Sequence, residues 1–176
     1  MTTLFLMIGL AGAGKTTRAR QLEAEHRALR LTPDEWMIPL FGASDADGKR
    51  DVLEGRLLTV AFDVLALGND VVLDFGCWSR DERAAIRSLA ESVGASYRGV
   101  YMPVDERTQL ARIAHRQEHT PEQTFPMDEN DLALWRSLFE EPDAEELANG
   151  AMRQPPAGSD GWAQWAAERW PSFVKP

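Results

Sequence analysis

The run GLAGAGKTT, Gly9 to Thr17, is made of the residue types that hold a chain of phosphates. Gly9 is followed by four residues and then by Gly14, Lys15 and Thr16, so G-x-x-x-x-G-K-[ST] is matched at every constrained position. Glycines let successive backbone N–H groups turn toward phosphate oxygens, which a Cβ would obstruct. A helix starting at Lys15 aims its positive end at the same anion. Lys15 can span the β- and γ-phosphates, and the Thr16 hydroxyl can ligate Mg²⁺. Gly9, Ala11, Gly12, Ala13, Gly14, Lys15, Thr16 and Thr17 are therefore the expected nucleoside-triphosphate contacts. The dinucleotide pattern is absent, because the glycines run G-x-x-G-x-G.

Several kinds of protein share such a loop. A guanine-reading switch needs Asn-Lys-x-Asp, and the chain has no Asn-Lys pair. Asp45 to Gly48 (DADG) matches D-x-x-G but follows no strand, and Lys49 and Arg50 spoil it as a calcium loop. A remodelling ATPase would carry more chain for its arginine finger and lid.

A small kinase needs a base for the acceptor hydroxyl, an acid for the metal, and positive charge over the transferring group. Asp34, just past the second apolar run, can face the γ-phosphate at the crevice where strands end. Alternatively it is an acid in a helix's first turn, although Glu35 already fills the capping position. Asp74 ends Val71-Val72-Leu73 as a strand acid that holds Mg²⁺ does. Arg112 and Arg116, four apart, share a helix face and can clamp phosphates, or form a solvated basic face. Arg80 and Arg83 can face an acceptor pocket or solvent. His26, His115 and His119 show no metal spacing, and Cys77 reads as packing.

These side chains need strands that end together. Leu4 to Ile8, Ala28 to Leu31, Asp70 to Gly76 and Tyr97 to Met102 read as strands. Between them, helices are expected over about 15–26, a short stretch after TPDE (Thr32 to Glu35) that Pro39 stops, 51–67 and 79–93. A further helix runs from about Asp105 to Glu118. TPDE and SRDE (Ser79 to Glu82) both read as capping boxes. Strands alternating with helices give an α/β fold with a mostly parallel sheet and helices on both faces. Thr120 to Pro126 reads as a loop. Beyond it, one helix should end before Pro142, a linker should cover about 151–161, and a packing helix should carry Trp162, Trp165 and Trp170.

At 176 residues the chain has the length of one domain. Its formal charge of −9 repels a polyanion, which argues against nucleic acid as substrate. A lone cysteine fits a reducing cytoplasm. No apolar run approaches the roughly 20 residues of a membrane span, and the start reads as a strand, not a signal peptide.

GLAGAGKTT, LTPDEW, VVLDFGCWSRDER, RIAHR and LWRSLFEEP, in that order, resemble short bacterial P-loop kinases. These are similar to chloramphenicol phosphotransferase, zeta toxin, gluconate kinase and the kinase domain of polynucleotide kinase. The resemblance covers about residues 2–147. It implies a three-layer P-loop NTPase fold, with a kinase domain over 1–150 and a small lid at about 115–127. Residues 151–176 would be a linker and a tryptophan-rich segment packing on it. It further implies ATP and Mg²⁺, with Asp34 as base and Arg112 and Arg116 as lid arginines. Asp34, Trp36 and Arg80 would lie on the acceptor side, and Thr16 and Asp74 on the metal. The acceptor is expected to be a small hydroxyl compound. A polynucleotide 5′-kinase, a toxin-like sugar-nucleotide kinase and a non-catalytic nucleotide sensor stay open.

Overall fold

Each residue of β1 (Thr3–Ile8) after the first is buried, and its side chains divide between two cores. Leu4, Leu6 and Ile8 join one apolar cluster, while Phe5 and Met7 join another, as the two-residue period of a strand requires. A strand buried on both faces belongs in the middle of a layered α/β domain. The computed structural model describes residues 1–43, 46–119 and 127–174. Within them, β1 pairs in parallel with β3 (Val71–Gly76) on one side and β4 (Ser96–Tyr101) on the other. β2 (Leu29–Leu31) completes the sheet beside β3, giving the order β2-β3-β1-β4. All the described strands are parallel, so their carboxyl ends meet along one edge. This is an α/β P-loop fold.

Helices supply both outer layers. α1 (Lys15–His26) buries Ala19 and Leu22 against Phe5, Met7 and Val72. The opposite layer holds α3 (Lys49–Ala66) and α4 (Arg80–Ser92), whose Leu57, Leu58, Phe62, Ala85, Ile86 and Leu89 meet Leu4, Leu6 and Val71. α2 (Pro33–Phe41) follows β2, and α5 (Glu106–His119) and α6 (Glu129–Leu138) follow β4. A short α7 (Ala144–Leu147) precedes the final helix, α8 (Trp162–Arg169).

α8 buries Trp162, Ala166 and Trp170 in the same cluster as Leu4 and Phe62. Arg169 ties it down, reaching Asp51 of α3 at 2.7 Å and Glu82 of α4 at 2.8 Å. The chain end then crosses α3 so closely that a Cβ on Gly55 would lie 2.6 Å from Ser172 Oγ and 2.8 Å from the Phe173 nitrogen. Glycine is required there by contact alone.

Some local expectations need correction. Ser79 does form the capping box with Glu82, but Thr32 makes no cap bond. Arg30 donates to the Thr32 hydroxyl instead, and Glu35 pairs with Arg30 at 3.0 Å and Arg20 at 3.3 Å. Pro39 does not stop α2, which runs on to Phe41. Proline removes only one bond, to the residue four back, Glu35, which lies on the exposed side of the helix. α3 begins at Lys49, before the expected 51, and α7 went unforeseen. Of the expected lid, 115–119 form the end of α5; residues 120–126, with the loop read there, lie outside the described residues, as does Asp45 of DADG.

Candidate active site

The loop after β1 is shaped by contact with β4. A Cβ on Gly9 would sit 2.7 Å from the Met102 carbonyl oxygen, so only glycine fits where the two strand ends meet. Gly14, at φ 93°, caps α1 in the left-handed region and turns the first amides of the helix toward the loop. Lys15 Nζ folds back and donates to the Leu10 carbonyl at 2.9 Å. Burial lowers the Lys15 pKa, while the carboxylates of Asp74 and then Asp34 oppose that shift. Both acids therefore stand within electrostatic reach of one ammonium.

Asp74 is buried, and its Oδ2 accepts the Thr16 hydroxyl at 2.7 Å. Burial pushes its carboxyl above the usual range, against the pull of Thr16 and Lys15. A hydroxyl and a carboxylate in contact at the foot of a glycine loop are hard oxygen donors of the kind Mg²⁺ takes, with phosphate oxygens and water completing an octahedron. Among the described residues no cluster of three or more His, Cys, Asp or Glu could hold a metal alone. The donor set fits an ion that arrives with phosphate. β3 leaves the sheet through Gly76 at φ 95° and Cys77 at φ 33°. A non-glycine residue there costs about 1–2 kcal/mol, strain stored beside the loop. The Cys77 thiol is buried, which raises its pKa and leaves it a packing group.

Asp34 stands in the first turn of α2, its side chain 58% exposed. Arg50 Nη1 of α3 donates to its Oδ1 at 2.7 Å, and Arg50 Nε donates to Glu54 Oε1 at 2.9 Å. On the other flank, α5 lies against the loop. Arg112 Nη1 donates to the Gly12 carbonyl at 3.1 Å, and Gln109 Nε2 donates to the Ala11 carbonyl at 2.9 Å. The Gln109 side chain is buried, and its Oε1 accepts from Arg136 Nη2 of α6 at 2.5 Å. A cleft of about 660 Å³ opens between the loop and α6, lined by Leu10, Tyr101, Arg112, Arg136 and Phe139.

Residues 4–142 match the AAA domain family. The chain belongs to that family. Its fold is similar to that of Chaetomium thermophilum Kti12, solved in complex with ADP-AlF3, at 20% identity and TM-score 0.66, covering 96% of this chain and 95% of that one. A sugar kinase from Janibacter sp. HTCC2649 aligns at 18% identity and TM-score 0.60, over 99% and 97%. A gluconokinase from Sinorhizobium meliloti 1021 aligns at 17% and 0.56, over 97% and 90%. No curated protein matches. This AAA-domain chain thus has a kinase-like P-loop fold. Among its described residues no helix is long and apolar enough to cross a membrane.

The fold brings Lys15, Thr16 and Asp74 of the AAA domain into contact range, with Asp34 on one flank and Arg112 on the other. Arg116 is exposed, but its charge reaches Lys15. Trp36 is exposed on α2, two positions from Asp34 and so on another face. Arg80 is engaged by the chain that follows α6. It pairs with Asp143 at 3.1 Å and donates to the Glu141 carbonyl at 3.3 Å. Arg83 is buried, holding Glu146 at 2.5 Å and the Cys77 and Trp78 carbonyls at 3.1 Å. The residues that sequence reading missed are Arg50, Glu54, Gln109 and Arg136. Each is joined to the site by contacts between distant segments, which no local pattern announces.

Proposed function

We propose that this chain is a Mg²⁺-dependent kinase that moves the γ-phosphoryl group of ATP to a hydroxyl of a small molecule. The Thr16–Asp74 hydrogen bond carries the proposal, because a buried acid drawn to the loop threonine is arranged for a metal and not for packing. Mg²⁺, when bound, would supply charge compensation on the β- and γ-phosphate oxygens. Lys15 exchanges the Leu10 carbonyl for those oxygens. Arg112 and Arg116 add positive charge over the transferring group from the α5 side.

Asp34 lies toward the opposite flank and takes the acceptor role. Phosphoryl transfer asks mainly for orientation of the hydroxyl, since its transition state is loose, and a carboxylate held by Arg50 can give that orientation. The net charge of −9 disfavours a nucleic-acid acceptor. The names sugar kinase and gluconokinase agree with a small hydroxylated acceptor, although likeness at this identity speaks for fold alone. We place the kinase domain at 1–150, the tail at 151–176, and the protein in the cytoplasm.

A nucleotide sensor that transfers nothing is the second reading, favoured by the hold of Arg50 on Asp34. Calorimetry with ATP and Mg²⁺, followed by ADP release against pools of sugars, nucleosides, antibiotics and oligonucleotides, separates the readings. ADP release raised by one small-molecule pool and lost in Lys15→Ala supports the kinase. Binding without acceptor-dependent release supports the sensor. No ATP binding at all overturns both.

A further inference from the structure

The C-terminal helix is wired to the acceptor-side acid. Trp170 Nε1 donates to Glu54 Oε2 at 3.2 Å in the buried core, and Glu54 Oε1 accepts from Arg50 Nε at 2.9 Å. Arg50 Nη1 in turn donates to Asp34 Oδ1 at 2.7 Å. One guanidinium is thus gripped by two carboxylates, one buried and fixed, the other exposed at the site. A charged group held on one edge of its planar fork presents the other edge in a set direction.

We infer that Glu54 is a positioning residue for Asp34, acting through Arg50, and that Trp170 of the C-terminal segment holds Glu54 in place. This rests on Asp34 having the acceptor role proposed above. Three observations converge on it. Glu54 is a buried acid on α3, one turn after Arg50 and one turn before the buried Leu57 and Leu58. A core position there would be filled more cheaply by an aliphatic side chain, since burying a carboxylate costs free energy unless the charge is used. The tail beyond α8 is bound tightly enough that Gly55, the next residue, has no room for a Cβ. And each acceptor oxygen of Glu54 has a separate donor, so the carboxylate cannot turn without breaking a bond.

The charge on Glu54 is also open to adjustment near neutrality. Burial pushes its carboxyl up to about 7, opposed by Arg50, by Arg169 of α8 and by the Trp170 N–H, and reinforced by Glu82 of α4. Cys77, after β3, is also coupled to it, and its thiol stays protonated in this range. Ionised Glu54 shares the charge of Arg50 with Asp34. When Glu54 is neutral it draws less on Arg50, and Asp34 is held more firmly away from a substrate hydroxyl. Turnover should therefore rise as pH passes upward through about 7.

The test pairs turnover with the indole N–H resonance of Trp170, assigned by its loss in Trp170→Phe. In the full-length protein that resonance should titrate near pH 7, and acceptor-dependent turnover should step at the same pH. Glu54→Gln should abolish both steps and lower turnover roughly 2- to 30-fold, with ATP affinity held within about twofold. Trp170→Phe keeps the ring but not the donor, so its turnover step should move to higher pH. It also serves if Glu54→Gln fails to fold. A titrating indole beside a turnover profile without the step, or wild-type turnover in Glu54→Gln, overturns the inference and leaves the kinase proposal standing. No turnover in wild type with any acceptor defeats the kinase proposal, and with it any positioning of Asp34.

Discussion

Asp74 lies beneath the phosphate loop with its Oδ2 2.7 Å from the Thr16 hydroxyl, in a site that already penalises its charge. Burial of an ionised carboxylate with no cation in place lowers stability, so the ligand-free protein carries a cost that Mg²⁺ and phosphate would offset. Asp74→Asn keeps the acceptor for Thr16 and removes the charge. The variant should melt higher than wild type without ligand, yet bind Mg²⁺ in the presence of ATP roughly 10- to 100-fold more weakly. Melting curves with and without Mg²⁺-ATP read both effects. A lower melting point together with unchanged Mg²⁺ dependence would make Asp74 an ordinary strand-end acid.

Stability should also report Glu54. Its carboxyl titrates at about 7 in the fold against an ordinary 4.5, so between those values the folded chain holds a proton that the unfolded chain has released. Folding is then favoured at the acid end, and stability falls as pH rises across the window, by on the order of 3 kcal/mol. Glu35, lowered by Arg30 despite its own desolvation, adds the opposite slope only at the acid end of this window, where the unfolded chain still holds its proton. Urea unfolding at several pH values should show the decline in wild type and a flatter line in Glu54→Gln. Parallel lines for the two proteins would mean that Glu54 titrates normally.

Gln109 links α6 to the loop, taking the Arg136 guanidinium on one side and giving its amide to the Ala11 carbonyl on the other. Gln109→Leu strips a partner from each, and an unmet buried polar group costs about 1–3 kcal/mol. The loop loses part of its preset shape, so ADP affinity should fall roughly 5- to 100-fold. Gln109→Glu is the sharper probe. It keeps a partner for Arg136, and so most of the stability, but sets an anion against the Ala11 carbonyl and should weaken ADP just as much. Calorimetric affinities equal to wild type in both variants would reduce Gln109 to packing.

The phosphate loop, Asp74 and the ends of α1 were legible because they obey short-range rules: a fixed spacing, a run of apolar residues closed by an acid, a glycine before a helix. Ser79 and Glu82 were legible for the same reason. TPDE obeyed the same local rule and failed, because Arg30 took the Thr32 hydroxyl and drew Glu35 into ion pairs. A cation two residues before the threonine outbid a cap worth about 1 kcal/mol. The hold of Arg50 on Asp34, the Gln109 link and the reach of Trp170 into α3 join residues 16 to 116 positions apart. Only the fold creates such pairs.

Asp34 decides between a kinase and a sensor, and its surroundings sharpen what its loss should do. The carboxylate is more than half exposed, so its pairing with Arg50 contributes at most about 1 kcal/mol to stability, and Asp34→Asn should fold and melt almost as wild type does. Nucleotide affinity should hold within about twofold, because the loop and Lys15, not Asp34, hold the phosphates. Acceptor-dependent turnover, by contrast, should fall roughly 10²- to 10⁴-fold, the usual worth of a positioned acid–base group. Arg50→Ala gives the complementary result. It frees Asp34 from its cation while leaving Glu54 buried without its ion-pair partner, so it should lose stability and blur the alignment of Asp34 without erasing it. Its turnover should therefore fall less than in Asp34→Asn, and its melting point more. Should Asp34→Asn turn over at the wild-type rate, Asp34 has no part in transfer, and the exposed Asp34–Arg50 pair is a surface clasp between α2 and α3.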